Sequence, residues 1–173
     1  MNHWYLVASL PYLRFGEKPP VSRDAFLSAC GGCLPDDEFA ALRAVLENRK
    51  PVDGGVAGAW WNGEVQLRNA VARIRSRNRS ADAARFIRPH EGFSVSIEKA
   101  VTDAFAQSNP LEQESELDRA RWSLADELAL TNPFGFPGIL AFAVKLRIAE
   151  RWAVLNDEGG QKRVEEFIEQ ATA

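Results

Sequence analysis

The chain reads as an all-α protein, a bundle of about six to seven helices around a long central antiparallel hairpin. Three observations predict this. Three long segments carry apolar residues at helical spacing, most boundaries between segments carry helix start or stop residues, and only residues 5–10 invite an extended reading. The helices should form one domain over residues 1–173, with a point of division near residues 89–93, where Pro89 and Gly92 interrupt the pattern.

From the N-terminus, Tyr5 to Leu10 is expected to be a short extended segment, followed by a connection through Pro11, Pro19 and Pro20. Ser22 is placed to cap a helix over residues 23–29. Pro35, followed by Asp36, Asp37 and Glu38, starts the next helix, because proline suits the first turn and acids suit the positive helix end. That helix runs to about Asn48. A long helix over residues 56–79 follows, although Asn62-Gly63 inside it also fits a turn. Residues 94–107 have helical spacing at Val95, Lys99, Val101 and Phe105. Asn109-Pro110 starts a helix that continues to Thr131, and Asn132-Pro133-Phe134-Gly135 turns the chain into a partner helix over 137–155. Gly159-Gly160 precedes a last helix over 161–171.

The least ordinary feature is charge on the apolar faces of the three long helices. Wound at about 100° per residue, residues 60–79 place Trp60, Leu67, Val71 and Ile74 on one arc and Trp61, Val65 and Ala72 on another. Glu64, Arg68 and Arg75 fall between the arcs. In residues 111–130, Arg121 lies in the middle of a face made by Leu117, Leu124, Ala125 and Leu128, with Glu114 and Asp118 beside it. In the last long helix, Lys145 sits between Ala149 and Trp152. Unpaired buried charges are too costly to recur three times. These seven residues are therefore expected either to pair with one another or to meet a partner. Lys145 should pair with a carboxylate of the 111–130 helix, at a loss of about 3–5 kcal/mol on its removal if that carboxylate is buried.

Composition narrows the function. The chain is 46% hydrophobic with a net charge of −3, which argues against a protein that coats nucleic acid or anionic membrane over its whole surface. No run approaches the roughly 18 apolar residues of a spanning helix. The short apolar stretch near the N-terminus lacks the basic flank of a secretory signal, so a cytoplasmic location is expected. Charge is nonetheless segregated locally. Residues 68–88 hold seven arginines against one acid, Asp82, whereas residues 112–127 hold six acids against two arginines. Arg73, Arg77 and Arg79 point away from the apolar arcs and are the expected partner-binding residues. A basic stripe can also hold phosphates, so a nucleic-acid-binding helical domain using residues 68–88 is the alternative.

No catalytic motif is recognised, and no cofactor or metal site is expected. Cys30 and Cys33 form Cys-Gly-Gly-Cys, but they end a helix rather than open one after a strand, as a redox motif would. A zinc site would need His3 and His90, which lack finger spacing. A small enzyme built on Glu64, Glu114 or Asp118 is a further alternative, since carboxylates in apolar surroundings have shifted pKa values.

Several segments carry a resemblance. They are Tyr5-Leu6-Val7-Ala8-Ser9-Leu10-Pro11, Pro19-Pro20-Val21-Ser22, Ala25-Phe26-Leu27 with Cys30, and Glu64-Val65-Gln66-Leu67-Arg68-Asn69 before the arginine-rich helix. Asn109-Pro110, Glu114, Trp122, Leu140 to Leu146 and Glu150-Arg151-Trp152 continue it. Together these resemble an uncharacterised bacterial family encoded among V/A-type ATPase genes. That family is in turn similar to the C (or d) subunit of rotary ATPases. The resemblance implies an all-helical, non-catalytic adaptor that contacts the central shaft or membrane ring, cytoplasmic and held at the inner membrane through a protein complex. On that basis Glu64, Leu67, Arg68, Asn69, Glu114, Trp122 and Lys145 are expected to hold the helices in register. The chain departs from the C subunit in having room for only part of its several similar helical units.

Overall fold

The computed structural model describes residues 3–52 and 54–155. Within them the chain forms seven α-helices, one 3-10 turn and no strand. The helices are α1 (Trp4–Ser9), α2 (Arg23–Gly31), α3 (Asp36–Leu46), α4 (Gly55–Asn78), α5 (Val95–Ala106), α6 (Pro110–Ala129) and α7 (Phe136–Val154). The architecture is all-α, with α6 and α7 packed along each other as the central hairpin.

Local chemistry explains most boundaries. Ser22 Oγ accepts from the Ala25 backbone N–H at 3.2 Å, and Asn109 Oδ1 accepts from that of Leu111 at 2.9 Å. Pro110 then occupies the first turn of α6. Asp36, Asp37 and Glu38 fill the first turn of α3. The α6–α7 turn requires Gly138, where a Cβ would lie 2.2 Å from the Pro133 carbonyl oxygen. Residues 62–63 do not turn. Helix α4 runs through them, and Gly63 is there for close packing, since a Cβ would approach Leu124 Cδ2 at 2.6 Å.

The expectation of an extended segment at residues 5–10 is corrected, because residues 5–9 belong to α1 and only Leu10, its C-cap, is extended. Tyr and Val favour strands locally, but a lone strand without a neighbour leaves its backbone groups unpaired. A helical turn satisfies them internally. Tertiary contacts fix it in place: the His3 N–H donates to the Phe134 carbonyl at 2.7 Å, Trp4 stacks on Phe134 and Leu6 is buried. The helix expected over residues 161–171 lies outside the described residues.

Two apolar clusters hold the bundle together. The larger gathers Phe26, Leu42, Trp60, Ile139, Leu140 and Leu146 from α2, α3, α4 and α7. The smaller gathers Leu67, Ile97, Val101 and Leu117 from α4, α5 and α6. Leu124 packs against both. The inward charges of α4, α6 and α7 lie between these elements, and that position defines the candidate site.

Candidate functional site: an alternating ion chain and exposed arginines

The charges on the apolar faces form a line of alternating sign across three helices. It runs Arg68, Glu64, Arg121, Asp118, Arg151, Glu114, Arg75. Arg68 Nε donates to Glu64 Oε1 at 2.7 Å, one helical turn away on α4, and Arg121 Nε donates to Glu64 Oε2 at 2.9 Å from α6. Arg121 Nη1 donates to Asp118 Oδ1 at 2.8 Å, and Arg151 Nη1 of α7 donates to Asp118 Oδ2 at 3.0 Å. Arg151 Nη2 reaches Glu114 Oε2 at 2.9 Å, and Arg75 Nη2 reaches Glu114 Oε1 at 3.2 Å. Trp152 Nε1 adds a third bond to Asp118, at 3.0 Å.

The line is dry at Glu64 and Asp118, half-buried at its Arg68 end and wet toward its Arg75 end. Glu64 is 1% exposed and Asp118 2%, whereas Arg75 and Arg151 are exposed. Burial opposes ionisation of Glu64, but the guanidiniums of Arg121 and then Arg68 outweigh it and hold the carboxyl below the usual range. Glu114 follows the same pattern. Burial raises its pKa, and the hydrogen bond and charge of Arg151, aided by Arg75, bring it below the ordinary value. A general acid needs a shift the other way. The arrangement holds Glu64 and Glu114 ionised and commits the carboxylates of the line to guanidiniums, which suits a fixed interhelical joint.

Of the seven residues singled out from the sequence, six are brought into this line and Lys145 is not. Lys145 pairs with Asp126 of α6, and its ammonium lies 5.2 Å from the centre of the Trp122 ring. The Asp126 side chain is 55% exposed, so the pair sits at the edge of the hairpin. Sequence reasoning missed Arg151 as a member. It lies one turn after Arg147 on α7, and both line the same cavity with Asp118.

Among the proposed partner-facing arginines, Arg73 is committed to Glu98 of α5 at 2.7 Å. Arg77 and Arg79 are exposed and take part in no ion pair among the described residues. The structure adds two more, Arg85 and Arg88, on the segment that follows α4. That segment is tied down by two buried amides three residues apart on α4. Asn69 Nδ2 donates to the Arg88 carbonyl at 2.7 Å and Asn69 Oδ1 accepts from the Arg88 N–H at 2.9 Å. Gln66 makes the equivalent pair of bonds with Ser94, at 2.8 and 2.9 Å. Buried amides on the inner face of α4 were the sequence signal for this anchoring. Phe86 and Phe93, which the sequence reading also passed over, are 60% and 69% exposed on the same segment. A cleft of about 480 Å³, lined by Arg75, Arg79, Phe86, Glu114, Leu117 and Arg121, joins this surface to the ion line.

The cysteines and histidines lie elsewhere. Cys30 is buried and Cys33 exposed, both as free thiols, and His3 Nε2 is hydrogen-bonded to Glu38 at 3.0 Å. Burial, with a smaller contribution from Cys33, pushes the Cys30 pKa up to about 12. Among the described residues no three His, Cys, Asp or Glu side chains cluster as metal ligands, and no helix is long and apolar enough to cross a membrane.

A family model described as a protein of unknown function (DUF2764) matches residues 94–172. The chain is similar to that family over this stretch, which contains α5, α6 and α7. No curated protein and no solved structure shows significant similarity to it. The matched stretch carries Glu114, Asp118, Arg121, Lys145 and Arg151, whereas Glu64, Arg68 and the arginine surface lie before it. The Glu64–Arg121 contact therefore joins the family-like part to the rest of the chain.

Proposed function

We propose that this protein is a non-catalytic helical adaptor, an accessory subunit of a V/A-type rotary ATPase that works through protein–protein contacts. The observation that carries the adaptor reading is the distribution of its arginines. Arg68, Arg73, Arg75, Arg121 and Arg151 are spent on carboxylates, while Arg77 and Arg79 at the end of α4 and Arg85 and Arg88 on the anchored segment after it are exposed without an acidic partner among the described residues. Exposed Phe86 and Phe93 lie within or beside this group, and arginine with aromatic residues is the composition of interface hot spots. The choice of a rotary ATPase rests on the sequence resemblance alone. An acidic face on a shaft or ring subunit is the complementary partner.

Capture of the tagged protein from its native cell extract, followed by mass spectrometry, tests this. Rotary-ATPase shaft or ring subunits should accompany the wild type. They should be lost when Arg77, Arg79, Arg85 and Arg88 are all changed to Glu, with the circular dichroism and melting of the variant unchanged. Absence of ATPase subunits from the wild-type capture overturns the assignment.

Phe86 supports a second reading. An exposed aromatic ring flanked by Arg85 and Arg88 is also a platform on which a nucleic-acid base can stack. Binding of a single-stranded oligonucleotide that weakens steeply with salt would favour it. No binding at low salt removes it.

A further inference from the structure

A second cavity, of about 230 Å³, opens where the C-terminal end of α3 meets α4, α6 and α7. Among the described residues its polar lining is unbalanced. The guanidiniums of Arg68, Arg121, Arg147 and Arg151 surround it against the carboxylates of Glu64 and Asp118, leaving two positive charges in excess. Both carboxylates already accept from two arginines each. Arg147 has no carboxylate within ion-pair distance among the described residues. Its Nη1 donates to the Val45 carbonyl at 2.8 Å, in the last turn of α3, and to Asn48 Oδ1 at 3.4 Å. Arg68 Nη2 donates to the same Asn48 oxygen. Two guanidiniums thus converge on one neutral amide oxygen. Asn48 holds a left-handed backbone conformation (φ 58°) that presents this oxygen at the helix end.

Like charges brought together in a partly buried site repel, and the usual resolution is an anion between them. We propose that the cavity bounded by Asn48, Arg68, Arg147 and Arg151 is a binding site for a phosphate-type oxyanion, free or carried on a small molecule. Its volume lies below the roughly 300–1,000 Å³ of sites for drug-sized ligands, so the cavity accepts the anionic group and not a whole nucleotide. Glu64 and Asp118 confine the anion to the Asn48 and Arg147 end. Burial also lowers the pKa of Arg147, as expected of a cation that lacks a full counter-charge. None of Arg77, Arg79, Arg85 and Arg88 lines this cavity, and the proposal stands whether or not the adaptor reading does.

Isothermal titration with inorganic phosphate, against chloride at matched ionic strength, tests the proposal. The wild type should bind phosphate saturably, and phenyl phosphate in parallel distinguishes a carried phosphoryl group, if it binds more tightly, from the free ion. Arg147→Gln should weaken binding about tenfold or more through loss of a charge-assisted hydrogen-bonding group. Asn48→Asp keeps the shape and supplies the missing negative charge from the chain itself. That variant should melt at a higher temperature than wild type and no longer respond to phosphate. No saturable binding beyond the chloride control overturns the proposal, as does an Asn48→Asp variant that binds phosphate like wild type.

Discussion

Glu64 of α4 and Arg121 of α6 are joined by a 2.9 Å hydrogen bond between side chains that are almost entirely buried. The contact fixes the relative rotation of two helices, because each residue lies on a face otherwise made of Leu67, Leu117, Leu124 and Trp60. A sliding of either helix by one residue would break this interhelical bond and leave each charge with only its partner on its own helix, Arg68 for Glu64 and Asp118 for Arg121. Such a joint gives register at the cost of desolvation, and its worth appears on removing one side.

Glu64→Gln leaves Arg121, whose side chain is 14% exposed, and the half-buried Arg68 short of a counter-charge. Chemical denaturation should show a loss of about 3–5 kcal/mol. Lys145→Met differs. Asp126 is largely solvated and methionine retains the packing over Trp122, so the loss should stay within about 1 kcal/mol. The earlier expectation of a larger loss required a buried carboxylate, which Asp126 is not. Equal effects of the two substitutions would refute this ranking.

Acid should act on the same joint. Glu64 and Glu114 have folded-state pKa values below their ordinary ones, so they stabilise the fold above the unfolded-state pKa of about 4.3. Their contribution falls away as pH drops from there through the folded-state values. Melting temperature should be nearly flat from about pH 7 to pH 5 and decline below about pH 4.3. In Glu64→Gln the decline should be shallower, which melts across that range would reveal.

Two glycines distinguish yielding from unyielding contacts. At Gly63 an alanine Cβ meets the end of the half-buried Leu124 side chain, which can rotate. A helix-propensity gain of up to about 1 kcal/mol offsets that shift, so Gly63→Ala should be near neutral. At Gly138 the Cβ meets the backbone oxygen of Pro133 at 2.2 Å. Gly138→Ala should cost about 1–3 kcal/mol or more, because the hairpin turn itself must move. Thermal melts of the two variants provide the comparison.

Thiol labelling separates the two cysteines. Cys33 is exposed and should be alkylated in the native protein, while Cys30, buried with its pKa pushed up to about 12, should react only on unfolding. Reaction of both thiols at the same rate under native conditions would contradict the structure.

The fold and part of the candidate site were legible in the chain for local reasons. Ser22, Pro35, Asn109 and Pro110 act within one turn of their own position, so helix starts could be read from residue type and spacing. The period of 3.6 residues likewise placed Glu64, Asp118 and Arg121 on inward faces without knowledge of a neighbour. Local propensity misled at Tyr5 to Leu10, where helical structure depends on His3 and Trp4 docking against Phe134, far away in sequence.

The sequence by itself determined that α4, α6 and α7 each carry charge inward and that arginines accumulate over residues 68–88. Only the tertiary structure decided which charge answers which. It assigned Lys145 to Asp126, brought Arg151 to Asp118, committed Arg73 to Glu98, and left Arg77, Arg79, Arg85 and Arg88 exposed and outside any ion pair among the described residues. Helical periodicity specifies the direction of a side chain from its own axis. Pairing depends on the distance between side chains on different helices, which chain connectivity and core packing set together.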